Sequence, residues 1–313
     1  AINQNPEDAV AIYSRGMAHL TLGNYEQANL DIQESWSLGL RVQEVRANRG
    51  YARFKAGDIA GARGELAAAL ESEPQNALFN AFYAEYQMHR GEFWSAREES
   101  ESADLLYNHA FSLLENATTL DPNLGLAYLV LCKLNLSLGL EDAAKEALDT
   151  SVGLELSSAP DYVDRAGLHT SFREYELALS DLNRAIQIDP DRPEYYELKA
   201  DAYTGLNDPA SAASELVAAL SAALNISDES EQSDRALYLK GRALWEIGRR
   251  DEAIKSLTAG LSLNNSNRTA QDNINLLRII YSELGVLHDP DYFDQAINQN
   301  PEDAVAIYSR GMA

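Results

Sequence analysis

Five histidines, one cysteine and two acidic clusters are the residues of this chain whose types could support catalysis or metal binding. His19, His89, His109, His169 and His288 do not stand at metal-ligand spacing to one another, to the cysteine or to a carboxylate. His19 and His169 occupy equivalent helix positions on a core-facing stripe, so packing is their expected role. Cys132 is alone, which excludes an intramolecular disulfide and a cysteine-based metal site. It stands where a small residue is needed for helix contact, so a buried, inert thiol is expected. The cluster Asp228, Glu229, Glu231 and Asp234 and the cluster Asp289, Asp291 and Asp294 offer carboxylates to calcium. Neither has the ligand count or the central glycine of an EF-hand loop, and solvated loops are expected instead. There is no phosphate-cradling glycine loop and no nucleophile elbow. No catalytic residue, cofactor or metal site is expected, and the chain is read as no enzyme.

The elements that would position any functional residue recur with a fixed period. Gly16 and Gly50, Gly23 and Gly57, Ala18 and Ala52, and Ala28 and Ala62 are each 34 residues apart. Each block reads as two amphipathic helices, A and B, around a short turn. Ile12, Gly16, His19 and Leu20 form one helical stripe in the first A helix, and Gly23 and Asn24 stop it. A small residue recurs mid-helix A as Gly16, Gly50, Ala84, Cys132, Ala166, Ala200 and Gly241. An aromatic follows the turn as Tyr25, Phe93 and Tyr175, and an alanine marks helix B as Ala28, Ala62, Ala144, Ala178, Ala212 and Ala253. Pro74, Pro122 and Pro190 end helix B, since proline lacks an N–H and fixes φ.

This pattern resembles the tetratricopeptide-repeat (TPR) family over nearly the whole chain. The resemblance implies an all-α, right-handed superhelical solenoid of about eight helix-turn-helix repeats, with about sixteen helices and no sheet. The blocks run 9–42, 43–76, 77–124, 125–158, 159–192, 193–226, 234–267 and 270–303, as a single solenoid over 1–313. The third block is 14 residues longer, with Ala96 and Ala110 both eligible as its helix B alanine. Arg97 to Asn116 lacks Gly and Pro, so the extra length is expected in helix B, about 20 Å of added helix. Residues 227–233 are expected as an acidic loop. The eighth block matches weakly, with Asp289 in place of the alanine and Pro290 in the turn. Some TPR adaptors clamp a peptide carboxylate with Lys and Asn on helix A. The lining positions here carry Val10, Tyr13 and Met17, then Glu44, Ala47 and Tyr51, then Glu194, Glu197 and Asp201. That clamp is absent, and Arg235, Tyr238 and Arg242 form the one modest basic patch.

Residues 1–18 and 296–313 are identical. Eight 34-residue blocks with insertions of 14, 7 and 2 account for their 295-residue offset, so the repeat register closes on itself. A window on a longer tandem array, a helix copied to the end of a chain, and an artefact of sequence assignment would each produce this identity. Under the first, Ala1–Asp8 are the end of a preceding helix B, and Ile12 and Gly16 need that helix as cover. Tyr292, Phe293 and Ala296 need a following helix A in the same way. With Tyr13, these residues are the expected self-assembly junction, and a non-closing head-to-tail contact makes a fibre. The leading expectation is therefore a structural repeating unit whose partners are other copies of itself. The alternative is an adaptor holding a peptide in its concave groove, and glycans are a further partner class.

Lys and Arg number 25 against 49 Asp and Glu, a net charge of −24. That sign disfavours nucleic acid and anionic lipid, and no apolar run reaches membrane-spanning length. Asn-x-Ser/Thr sequences occur at Asn116, Asn135, Asn225, Asn264 and Asn267. Asn225, Asn264 and Asn267 are expected in loops between blocks, and Asn135 faces the core. Glycosylation at Asn116, Asn225, Asn264 or Asn267 would accompany an extracellular or cell-surface location, with a cytoplasmic one as the alternative.

Overall fold

The computed structural model describes residues 8–226, 234–263 and 268–283. Among them every regular element is an α-helix, fifteen in all. In chain order they are α1 (Ala9–Thr21), α2 (Tyr25–Ser37), α3 (Gln43–Lys55), α4 (Ile59–Ser72), α5 (Ala77–Ser95), α6 (Ser100–Leu120), α7 (Gly125–Ser137) and α8 (Glu141–Ser151). There follow α9 (Ala159–Ser171), α10 (Tyr175–Ile188), α11 (Pro193–Gly205), α12 (Pro209–Ile226), α13 (Asp234–Glu246), α14 (Arg250–Leu263) and α15 (Arg268–Glu283). Odd-numbered helices are the A helices, and seven of the eight begin at the first residue of a block. Contacts divide the chain into two compact units, Ala1–Phe172 and Arg173–Ala313.

In each unit, sequential helices pack as antiparallel neighbours and consecutive A helices touch, as do α1 with α3 and α13 with α15. The mid-helix small residue makes this possible. A Cβ at Gly16 would meet Ile32 at 2.8 Å, at Gly50 Leu66 at 2.9 Å, and at Gly241 Leu257 at 2.6 Å. The cover at Gly16 thus comes from α2 of its own repeat, and Ile12 is 1% exposed. Asp8 caps α1, its carboxylate accepting from the amides of Val10 and Ala11. The counterpart residues Tyr292, Phe293 and Ala296 lie outside the described residues. Cys132 is fully buried against Ala144, Ala147 and Leu148, and burial pushes its thiol up to about 11. His169 is 1% exposed, whereas His19 keeps a third of its side chain in solvent.

The third repeat corrects the expected helix. Residues 96–99 are the turn, so Arg97–Glu99 are not helical. The extra residues are shared between α5, which has 19, and α6, which has 21, against 13 and 14 in α3 and α4. Each helix gains about two turns, roughly 10 Å at 1.5 Å per residue, and the hairpin lengthens without losing phase. The sequence does not mark this turn, because Glu98 takes the left-handed backbone (φ 60°) that Gly23, Gly57 and Gly139 take in other repeats. Phe93 accordingly lies within helix A, and Ala110, fully buried, is the helix B alanine.

The first unit closes on itself. Gly23, in the turn of the first repeat, sits so close to Pro160 at the start of α9 that a Cβ would lie 2.5 Å from its Cγ. The face enclosed by this contact is filled by the chain's own side chains. Tyr51 stacks on Phe82 (3.9 Å) and donates to Glu85 Oε2 (2.9 Å), and Lys55 Nζ donates to Glu85 Oε1 (3.0 Å). Lys133 pairs with Asp164 at 2.5 Å. Burial alone would lower the Lys55 ammonium, but Glu85 and the nearby Tyr25, Asp161 and Asp164 hold it above its ordinary value. Burial likewise works against the Glu85 carboxylate, and Lys55 and Lys133 overcome it, keeping Glu85 below its usual range. Asp161 is the carboxylate left over. Burial raises it from 3.8 to about 6, against the pull of Lys55, a hydrogen bond from Ser158 and Lys133. Ser158 Oγ donates to Asp161 Oδ2 at 2.6 Å.

Two measurements check this packing. Gly64 faces open space in an exposed helix interior, so Gly64→Ala should raise unfolding free energy by about 1 kcal/mol. Gly50→Val should lower it by about 1–3 kcal/mol, because Leu66 cannot move aside without cost. Equal effects of the two in urea denaturation would contradict the close approach of α3 and α4. The second concerns Asp161, which binds its proton more tightly folded than unfolded. Its contribution therefore favours the folded state below about pH 4 and is lost as pH rises through about 6. Asp161→Asn keeps an acceptor for Ser158 and should stabilise the chain at pH 7.5, by on the order of 2 kcal/mol, but not at pH 4. An equal effect of Asp161→Asn at both pH values would show that the carboxyl ionises as freely folded as unfolded.

Candidate functional site

The concave stripes of three A helices in the second unit form the candidate site. Helical spacing puts Glu194, Glu197, Leu198 and Asp201 on one face of α11 and Arg235, Tyr238 and Arg242 on one face of α13. With Asp234 of α13 and Thr269 and Asp272 of α15, these residues line a cavity of about 670 Å³. The equivalent positions of adjacent repeats carry opposite charge, and the structure pairs them. Arg235 binds Glu197 and approaches Glu194 at 4.0 Å, and Arg242 binds Asp201. The basic patch of the sequence is thus neutralised by the acidic row of the preceding A helix. Its signal was present in the residues: Glu194 and Arg235 occupy the same position of successive blocks, as do Asp201 and Arg242.

Five carboxylates and two guanidiniums line the cavity, a formal charge of −3. Burial raises Glu197, and Arg235 and Arg242 draw it back down. Burial would lower the Arg242 guanidinium, but Asp201, with the Tyr238 hydroxyl, outweighs it and holds it above its ordinary value. Burial also raises the Tyr238 hydroxyl, so the ring remains a neutral donor at physiological pH. A surface of this kind can hold an extended segment by hydrogen bonds and can exchange its own guanidiniums for those of a ligand. Nothing in it resembles a nucleophile with an adjacent base.

The other predicted lining residues do not form an open surface. Tyr13 donates to Glu44 (3.3 Å) and accepts from Asn48 (2.8 Å), Ala47 is fully buried, and Tyr51 belongs to the filled interior of the first unit. Val10 is exposed and Met17 is half-buried. Among the glycosylation candidates, Asn225 lies within α12 rather than in the expected loop, because the helix runs to Ile226. Asn116 is in α6, its amide donating to Asn80 Oδ1 (3.1 Å) and Pro74 O (3.4 Å). Asn264 and Asn267 lie outside the described residues, as do residues 227–233 and 289–294. Asn135 is 3% exposed, as its position implied. No group of three metal-ligating side chains occurs among the described residues, and none of their helices is long and apolar enough to cross a membrane.

Comparison with known proteins agrees with the repeat spacing. Tetratricopeptide-repeat models match residues 48–103 and 234–267, the latter being the seventh block from end to end. No curated protein sequence matches the chain. Among solved structures, the APC/C hetero-tetramer Cut9–Hcn1 is similar at TM-score 0.53 and 14% identity, over 92% of this chain and 52% of that one. The present chain therefore spans about half the length of that relative. A thermophilic TPR protein of Thermus thermophilus is similar at TM-score 0.50 and 18% identity, over 63% of this chain and 98% of that one. PilW, a type IV pilus biogenesis factor, is similar at TM-score 0.50 and 15% identity, over 74% of this chain and 97% of that one. The 34-residue period, the small-residue contacts between paired helices and these matches together identify tetratricopeptide repeats at 48–103 and 234–267 within a chain that has the fold of tetratricopeptide-repeat proteins.

Proposed function

We propose that the chain is a protein-interaction scaffold whose working surface is the concave face of α11, α13 and α15, and that it takes an extended peptide rich in Lys and Arg. The observation that carries this is the open cavity of about 670 Å³ with its excess of carboxylates. The enclosed face of the first unit is filled by its own side chains, which directs a peptide to the second. Basic side chains of the ligand meet Glu194 and Asp272, while its backbone meets Tyr238 and Thr269. A Lys/Arg-rich nonapeptide should bind measurably by calorimetry, and an acidic one of the same length should not. Glu194→Gln and Asp272→Asn should each weaken binding about three- to fivefold, as expected for half-exposed charge pairs. Glu26→Gln on exposed α2 is the control for general attraction to an acidic chain. If the control weakens binding as much as the groove variants, the groove is not the site.

A second function is supported by the identity of residues 1–18 and 296–313: a structural repeating unit of a fibre or tandem array with a 295-residue period. In that role the junction residues of one copy continue the repeat register of the next. Sedimentation of the purified chain should then show growth with concentration, and electron microscopy should show filaments. A monomer at every concentration removes this function and leaves the scaffold.

A further inference from the structure

The second unit carries another recess, on the side of α13 opposite its concave stripe. Val217 and Leu220 of α12 face Leu244 of α13 and Ile247 just beyond it across an apolar groove of about 390 Å³, with the fully buried Leu216 and Leu239 also in its lining. Val217 is 56% exposed and Ile247 52%. Exposed aliphatic residues are unremarkable singly, but a contiguous apolar recess in a chain of this charge is not.

The repeats supply an internal comparison. At the first junction the positions of Val217 and Leu244 are held by Gln33 and Arg53, and those of Leu220 and Lys240 by Trp36 and Arg49. There Arg49 lies over the Trp36 ring at 4.4 Å and donates to Gln33 at 3.2 Å, closing the groove with the chain's own polar side chains. At the second, fourth and fifth junctions the same pair of positions reads Ala67 and Gln87, Asp149 and His169, and Asn183 and Tyr203. Each of those junctions places at least one polar side chain there. The sixth places two aliphatic ones and leaves the groove uncovered.

The charges at its edge identify what would cover it. The lining holds Lys240 and Arg249 and no carboxylate, although Asp and Glu outnumber Lys and Arg by 49 to 25 in the chain. Arg249 shares an exposed ion pair with Glu252, which a competing carboxylate can replace at little cost. We propose that this groove docks an amphipathic helix of a partner protein, its apolar stripe seated between α12 and α13 and its flanking carboxylates on Lys240 and Arg249. Helix-in-groove recognition uses apolar anchors at i, i+3 and i+7, a spacing that the parallel stripes of α12 and α13 can receive. This surface lies apart from the concave face, and neither proposal depends on the other.

Two synthetic helical peptides with one leucine stripe, flanked by Glu in one and by Lys in the other, test the proposal against the full chain. Methyl NMR should show the Glu-flanked peptide shifting Val217, Leu220, Leu244 and Ile247 and leaving buried Leu66 and Leu114 unmoved. The double variant Val217→Gln, Leu244→Arg, which restores the first junction's residues, should weaken that peptide at least tenfold while leaving the circular dichroism spectrum unchanged. No shift at these methyls, equal shifts with the Lys-flanked peptide, or unchanged affinity in the double variant would overturn it. Self-association of the chain that the double variant abolishes would also overturn it, by showing that a second copy covers the groove.

Discussion

The close approach of helix A to helix B within a repeat is the constraint on which the rest of the molecule depends. It rests on one side chain per repeat being small: Gly16 against Ile32, Gly50 against Leu66, Gly241 against Leu257, each partner sixteen residues downstream. Because the approach is set inside the repeat, the outer faces of the pair are free to vary. One A-helix stripe can be aromatic and self-filled, as at Tyr51 and Phe82, and another can be charged and open, as at Glu197 and Arg235. The chemical variety of these faces is built on a packing contact that is alike at all three glycines.

Residues whose role is local were legible in the sequence. Period, helix starts, mid-helix small residues and the burial of Cys132, His169 and Asn135 follow from spacing alone. The turn of the third repeat was not, because Glu98 adopts a backbone conformation that signals itself only when the residue is glycine. Nor was the end of α12, where Asn225 precedes an acidic run that reads as a loop. The filling of the first unit's interior was hidden for a different reason. It depends on how tightly successive repeats coil, a sum of small rotations that no single residue encodes.

Electrostatics shows the same division. The excess of 24 negative charges predicts a repulsive, soluble surface. What it does not predict is that the cations are spent on particular carboxylates: Lys55 on Glu85, Lys133 on Asp164, Arg242 on Asp201. The concave cavity of the second unit is acidic because five carboxylates line it against two arginines that are already engaged, whereas the groove behind α13 is lined by Lys240 and Arg249, with Glu252 on Arg249 from outside the lining. Two faces of one helix thus differ in the charge they present.

The contact of Gly23 with Pro160 changes what kind of object the first unit is. An open repeat array holds together through nearest neighbours, so its ends fray and its stability is close to a sum over links. A contact between the first turn and the ninth helix joins residues far apart in sequence and converts the chain of links into a hoop. Local opening anywhere in a hoop strains the closure, so the repeats melt together rather than from the ends. The same contact raises the mean sequence separation of native contacts, and the unit surrenders some of the folding speed that purely local packing confers.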